Sequence, residues 1–169
     1  MIVAKRRLST VDHACDVVGM TYVYPVVSRR AGGVSVGINL NPNNACNWRC
    51  VYCQVANLVL AAGPAIDLAR LEEELRALLD DIVHGDFLAR SAPEGSRELK
   101  DIAFAGNGEP TTSPDFPAAL DVVARLLEAF ELRGKIPVYL ITNGSQVKKP
   151  EIAAALQGDR ARIVAHVRV

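Results

Sequence analysis

The chain has no excess of either charge: 19 Lys and Arg balance 19 Asp and Glu. No basic field marks a nucleic-acid surface and no acidic run marks a disordered tail, so any affinity for RNA has to come from a local patch. Long hydrophobic runs are missing as well. The longest candidate, residues 55–66, is interrupted by Asn57 and Pro64 and falls short of the roughly 20 residues that span a bilayer, which argues against a membrane-bound protein. Basic residues open the sequence in MIVAKRRLST, but no apolar stretch or small-residue cleavage site follows, so the expectation is a cytoplasmic protein without a secretory signal. There is no internal repeat, low-complexity segment or Pro/Gly/Ser-rich linker. With 169 residues, 50% of them hydrophobic, a single domain around one core is expected. Cysteine is scarce and unevenly placed, for three of the four fall within eight residues and no second pair stands apart from them. In a reducing compartment such crowding points to a metal and not to a disulfide framework. A structural zinc site wants four ligands, usually in two separated pairs, and only three are here.

Those three are Cys46, Cys50 and Cys53, a C-x3-C-x2-C run in the stretch ACNWRCVYCQ. Thiolates are soft ligands that select iron-sulfur clusters or zinc. The spacing can clamp three corners of a four-iron cluster and leave the fourth iron open. The alternative is a zinc ion completed by His13, Cys15 or an Asp. Cys15 on its own reads more simply as a small buried hydrophobe, and His84 and His166 as a helix-end cation and a strand surface residue.

The surrounding pattern is that of an α/β domain. Residues 21–27 and 34–40 are β-rich runs joined by SRRAGG, whose glycines suit a turn. Arg29 and Arg30 read as a solvated part of that turn, with phosphate binding as the alternative. The loop after the second run, residues 39–47, is rich in Asn, which satisfies loop backbone and tolerates left-handed conformations. Leu68, Leu71, Leu75, Leu78, Leu79 and Ile82 keep helical spacing over 67–84, with Asp67 as N-cap and Gly85 past the end. Residues 86–100 read as a loop before a strand at 101–105. A helix is expected from Ser113-Pro114-Asp115 through Phe130, a strand at 137–141, a short helix at 150–156 ending at Gly158, and a last strand at 162–169. This alternation argues for a parallel sheet.

Three unusual segments fall at the carboxyl ends of these strands, where α/β sheets build their sites: the cysteine loop, Gly106-Asn107-Gly108-Glu109-Pro110, and Thr142-Asn143-Gly144-Ser145. With Tyr52 before the last cysteine and Asn107-Gly108-Glu109-Pro110 in the place of a Gly-Gly-Glu-Pro motif, residues 34–145 resemble the radical S-adenosylmethionine (radical SAM) superfamily. The flanking VSVGINLNPNNACNWRCVYCQ and FAGNGEPTTS are similar to the branch related to tRNA-wyosine synthesis enzymes.

The resemblance implies that Cys46, Cys50 and Cys53 bind a [4Fe-4S] cluster whose fourth iron takes S-adenosyl-L-methionine. It implies an oxidoreductase-type enzyme that generates a 5′-deoxyadenosyl radical for hydrogen abstraction, with no side chain of its own assigned as catalytic. Backbone near Tyr52 would meet the adenine. The segment Asn107, Gly108, Glu109 and Pro110 would bind the methionine amino group, with Glu109 bracing the loop, and Asn143 would make a polar contact to the cofactor. An external electron donor of flavodoxin or ferredoxin type is implied, and tRNA or a nucleoside is the substrate class that the finer branch suggests. The alternative function is a non-enzymatic metal-binding module, or an inactive fragment of such an enzyme. The implied fold is a parallel partial TIM-type barrel, here incomplete with about four βα units where family members commonly have six. Residues 1–33 form an N-terminal extension with a β-rich segment, and residues 34–169 a core expected to be truncated at its C-terminus.

Overall fold

The computed structural model describes residues 7–9, 18–157 and 165–166. Strand β1, Val23–Ser28, turns through Gly32 into β2, Gly33–Ile38. Gly32 sits at φ +72°, where a side chain would be strained, and its N–H returns to the Ser28 carbonyl at 2.9 Å. Two-residue strands β3, Ala45–Cys46, and β4, Val59–Leu60, pair with each other alone. Helix α1, Leu68–Val83, and a short α2, Phe87–Ser91, lead to β5, Leu99–Phe104. Then come α3, Phe116–Ala129, β6, Val138–Ile141, α4, Pro150–Leu156, and β7, Ala165–His166.

The main sheet has the order β1-β2-β5-β6-β7. The strands β2, β5, β6 and β7 run parallel, whereas β1 pairs antiparallel with β2. The sheet is therefore mixed and not all-parallel as expected. The physical reason is the short turn after Ser28, which can only return the chain antiparallel; a parallel neighbour needs a crossover.

Alternation sorts the strands into two faces. Val34, Val36 and Ile38, with Ile102 and Phe104 and with Val138 and Leu140, join the buried core. Leu71, Leu75, Leu78 and Leu79 of α1 and Phe116, Ala119, Leu120 and Val123 of α3 belong to the same cluster. Burying each large apolar side chain stabilises the fold by about 1.5–3 kcal/mol. Asp67 caps α1 as expected, accepting from the Arg70 N–H at 3.0 Å. One helix carboxylate also ties the layers together. Glu74 on α1 is 9% exposed and accepts the N–H groups of Thr21, Tyr22 and Val23 at 2.8, 2.8 and 3.3 Å.

The other face is built from small and polar residues, among them Tyr24, Ser35, Gly37, Asp101 and Ala103. A Cβ on Gly37 would lie 2.2 Å from the Tyr24 ring, so the ring lies flat against its cross-strand partner.

Residues 86–100 are not a plain loop. Phe87 is fully buried, and Asp86 and Arg90 pair across one turn at 2.7 Å, which fixes α2 until Pro93 follows its C-cap. Of the expected strand 162–169 the described part is Ala165–His166; the rest of it, Gly158, His13 and Cys15 lie outside the described residues.

Candidate metal and cofactor site

Asparagines frame the site. Asn39 and Asn41, 2% and 1% exposed, follow β2 directly. The Asn39 Oδ1 accepts from the Asn41 N–H at 3.0 Å and from the Asn107 N–H at 3.2 Å, tying the loop after β2 to the loop after β5. The Asn41 Nδ2 donates to the Ala45 carbonyl at 2.9 Å, and Asn44 takes φ +59°, a conformation that asparagine tolerates. The β3-β4 pairing then closes the cysteine loop at its base, with the Val59 N–H on the Asn44 carbonyl at 2.9 Å and the Ala61 N–H on the Cys46 carbonyl at 3.0 Å. Inside the loop the Cys53 N–H reaches the Cys50 carbonyl at 3.0 Å. All three thiols are free; Cys46 is buried, Cys50 half-buried and Cys53 exposed. Trp48 and Tyr52 are 59% and 57% exposed, so they are not ordinary core aromatics.

The Gly106–Pro110 loop packs directly on this frame. Gly106 has φ +150°, and a Cβ there would lie 2.4 Å from the Asn39 Oδ1. A Cβ on Gly108 would lie 2.1 Å from the Ala45 carbonyl oxygen, next to Cys46. The close backbone approach that only glycine allows is thus made to the cysteine strand. Glu109 is 3% exposed and both its oxygens are occupied. Oε1 accepts from the Thr111 N–H at 3.2 Å, from the Thr111 hydroxyl, and from the Thr142 hydroxyl at 2.7 Å, while Oε2 accepts from the Asn143 N–H at 2.6 Å. So saturated a carboxylate braces the loops after β5 and β6 and leaves little room for proton transfer.

The side-chain amides of Asn107 and Asn143, the second of them expected to contact the cofactor, are engaged with the cysteine loop. The Asn107 Nδ2 donates to the Asn44 Oδ1 at 2.7 Å, and the Asn143 Nδ2 donates to the Asn47 Oδ1 at 3.0 Å. Asn47 donates in turn to the Ser145 hydroxyl at 2.7 Å. Asn47 belongs to the Asn-rich loop 39–47 singled out in the sequence, and its partners show it tying that loop to the one after β6.

These segments enclose one cleft of about 480 Å³. Its walls include all three cysteines, Tyr52, residues 106–109, and Thr142 with Asn143. The volume suits a small-molecule cofactor. Pro110 is buried and opens a 3₁₀ turn at residues 110–112 behind the cleft wall. Arg30, from the β1-β2 turn, also reaches the cleft; its side chain is partly exposed and its guanidinium lies 4.3 Å over the Tyr139 ring. Among the described residues no three Cys, His, Asp or Glu side chains already converge on a single metal position. The donor set nonetheless fits a soft metal centre: three free thiols share one cleft wall, on a loop anchored at its base and exposed along its length.

The family model described as the radical SAM superfamily matches residues 40–166. The chain belongs to the radical SAM superfamily. Among curated relatives of this family member, it is 30% identical over 135 residues to "GTPase Obg" of Brachyspira hyodysenteriae, covering 78% of this chain and 17% of that protein. It is 26% identical over 128 residues to "UPF0026 protein MJ1312" of Methanocaldococcus jannaschii, covering 76% of this chain and 34% of that one. The radical SAM chain therefore spans about a sixth and a third of the lengths of these relatives. No solved structure matches the chain significantly. Membership implies a [4Fe-4S] cluster and S-adenosyl-L-methionine as the family's cofactors. No helix among the described residues is long and apolar enough to cross a membrane.

Proposed function

We propose that this protein is a radical SAM enzyme that abstracts hydrogen from an organic substrate, with Cys46, Cys50 and Cys53 holding the cluster. The observation that carries the reading is the shared cleft: three free thiols, residues 106–109 and Thr142-Asn143 line one cavity at the ends of parallel strands. When bound, a [4Fe-4S] cluster with S-adenosyl-L-methionine supplies reductive cleavage of the sulfonium carbon-sulfur bond and, from it, a 5′-deoxyadenosyl radical.

The chain's own residues position and enclose. Cys46 is held on the short β3-β4 ladder, and Cys50 and Cys53 share the turn beyond it. Glu109 keeps the loop after β5 rigid beside the cleft, where the backbone of 107–110 would meet the amino acid end of the cofactor. Exposed Trp48 and Tyr52 supply apolar surface to cover adenine and to exclude water. Asn107 and Asn143 act by fixing the cysteine loop. The mixed sheet forms one wall of a partial barrel, electrons come from a flavodoxin- or ferredoxin-type donor, and a nucleoside, free or in tRNA, is the substrate class that the sequence resemblance supports.

The test is anaerobic reconstitution. The chain should take up about four irons and, with dithionite, release 5′-deoxyadenosine; Cys50→Ala should lose both. Metal uptake with no cleavage of S-adenosyl-L-methionine would instead establish a non-enzymatic metal module.

A further inference from the structure

The small-residue face of the sheet carries a second, narrower hollow of about 170 Å³, and it shares Arg30 and Ile141 with the main cleft. The two adjoin along these shared residues, so that a trough is formed with the cysteines on one side and Gly37 and Ala103 on the other. Arg30 is positioned there by two independent contacts. Its Nη2 donates to the Asp101 Oδ2 at 2.7 Å, and its guanidinium stacks over Tyr139 at 4.3 Å. Asp101 is 1% exposed, and its other oxygen accepts from the Ser35 hydroxyl. The carboxylate is thus turned inward and spent, while the Arg30 side chain stays 38% exposed.

A guanidinium has five N–H donors in a planar fork, and Asp101 takes one of them. Among the described residues lining the trough, the other formally charged side chain is Glu109, which is buried and accepts four hydrogen bonds. The trough therefore presents one accessible fixed charge, and it is positive. Stacking on Tyr139 and pairing with Asp101 remove much of the rotamer freedom that an arginine otherwise loses on binding.

We infer that Arg30 is an anion-binding subsite of the trough, taking a phosphate or carboxylate group of the substrate by charge-assisted hydrogen bonds. Asp101, Ser35 and Tyr139 are its positioning residues. This deepens the proposed function by assigning the substrate an anionic group, and it rests on the same cleft holding the substrate.

The anaerobically reconstituted chain is dialysed to equilibrium against radiolabelled inorganic phosphate and, separately, labelled acetate. One saturable site per chain is expected. Preference for phosphate assigns a phosphorylated substrate, and preference for acetate a carboxylate. Because Arg30→Gln alone strands the buried Asp101 charge and can unfold the chain, the deciding pair is Asp101→Asn against Asp101→Asn with Arg30→Gln. Asp101→Asn frees a further guanidinium donor and removes a nearby negative charge, so it should bind the anion more tightly than the parent chain; adding Arg30→Gln should abolish saturation. If Arg30 serves only to neutralise Asp101, the parent does not saturate, whatever Asp101→Asn binds once the guanidinium is released. That result, or equal binding by both variants, overturns the inference. Iron content and 5′-deoxyadenosine release are read on the same samples. Failure of the anion site then shows as lost saturation with normal iron, and failure of the proposed function as missing iron whatever the anion does.

Discussion

Replacing Gly108 by Ala tests whether the 106–110 loop and the cysteine strand are one packed unit. The new methyl would start 2.1 Å from the Ala45 carbonyl oxygen and 2.8 Å from the Asn41 Cγ. An ordinary carbon-oxygen contact is about 3.3 Å, so the two segments must part by more than about 1 Å. The carbonyl cannot retreat freely, because Asn41 already donates to it at 2.9 Å and Asn41 is itself buried. Overpacking of this kind costs about 1–3 kcal/mol, a modest part of the roughly 5–15 kcal/mol that holds a domain together. For a chain of this size the melting temperature should fall by roughly 2–12 °C, while Cys46 is displaced from its place in the cleft. Thermal melting by circular dichroism and iron content after reconstitution measure the two effects separately. Gly108→Ala should remain folded at room temperature yet lose most of its iron. Gly95→Ala, where a Cβ meets nothing within 4 Å, is the control and should change neither. Full iron content in Gly108→Ala would refute the reasoning.

Glu109→Gln puts an amide N–H₂ where donors from Thr111, Thr142 or Asn143 now converge, so it should cost about 1–3 kcal/mol in a urea titration and speed hydrogen exchange at the Asn143 amide. Glu74→Ala strips the acceptor from three backbone N–H groups at residues 21–23, and a loss of at least about 2 kcal/mol is expected from chemical denaturation. The Glu72 carboxyl is held below its ordinary value by hydrogen bonds from Arg76 and Arg125, the latter reaching across from α3. A carboxyl lowered by folding contributes stability that is fully present above its unfolded pKa of about 4.3 and disappears as pH falls through the folded value. Glu72→Gln should therefore cost below about 1 kcal/mol at pH 7, as befits a surface pair, and nothing once the pH lies below the folded value; stability curves at several pH values check it.

The long elements were legible because their apolar residues repeat at the period of the structure they form. Leu71, Leu75, Leu78 and Leu79 mark α1, and Asp67 its start, since both signals are local in sequence. Residues 150–156 were readable from Pro150 for the same reason. Helix α2 was not, because five residues cannot display a helical period and its stability comes from burial of Phe87 and the Asp86-Arg90 pair. The two-residue strands β3 and β4 escaped too, since they exist only because residues 45 and 59 meet across the cysteine loop.

At the site, the cysteines were found by their spacing and the glycine-rich loop by its place after a strand. The partners of Glu109, Asn107 and Asn143 were not readable, because they are set by contacts between segments up to 96 residues apart. Arg30 is the clearest case. In the sequence it sits in a polar turn, and only the strand register shows that its side chain reaches Asp101 and Tyr139.

The account depends most on three thiols holding an iron-sulfur cluster with one iron free for S-adenosyl-L-methionine. Electron paramagnetic resonance of the anaerobically reconstituted, dithionite-reduced chain tests this directly. A cubane signal that changes shape when S-adenosyl-L-methionine is added is the predicted result. A chain that holds only zinc, or a cluster signal indifferent to the added sulfonium compound, would contradict it.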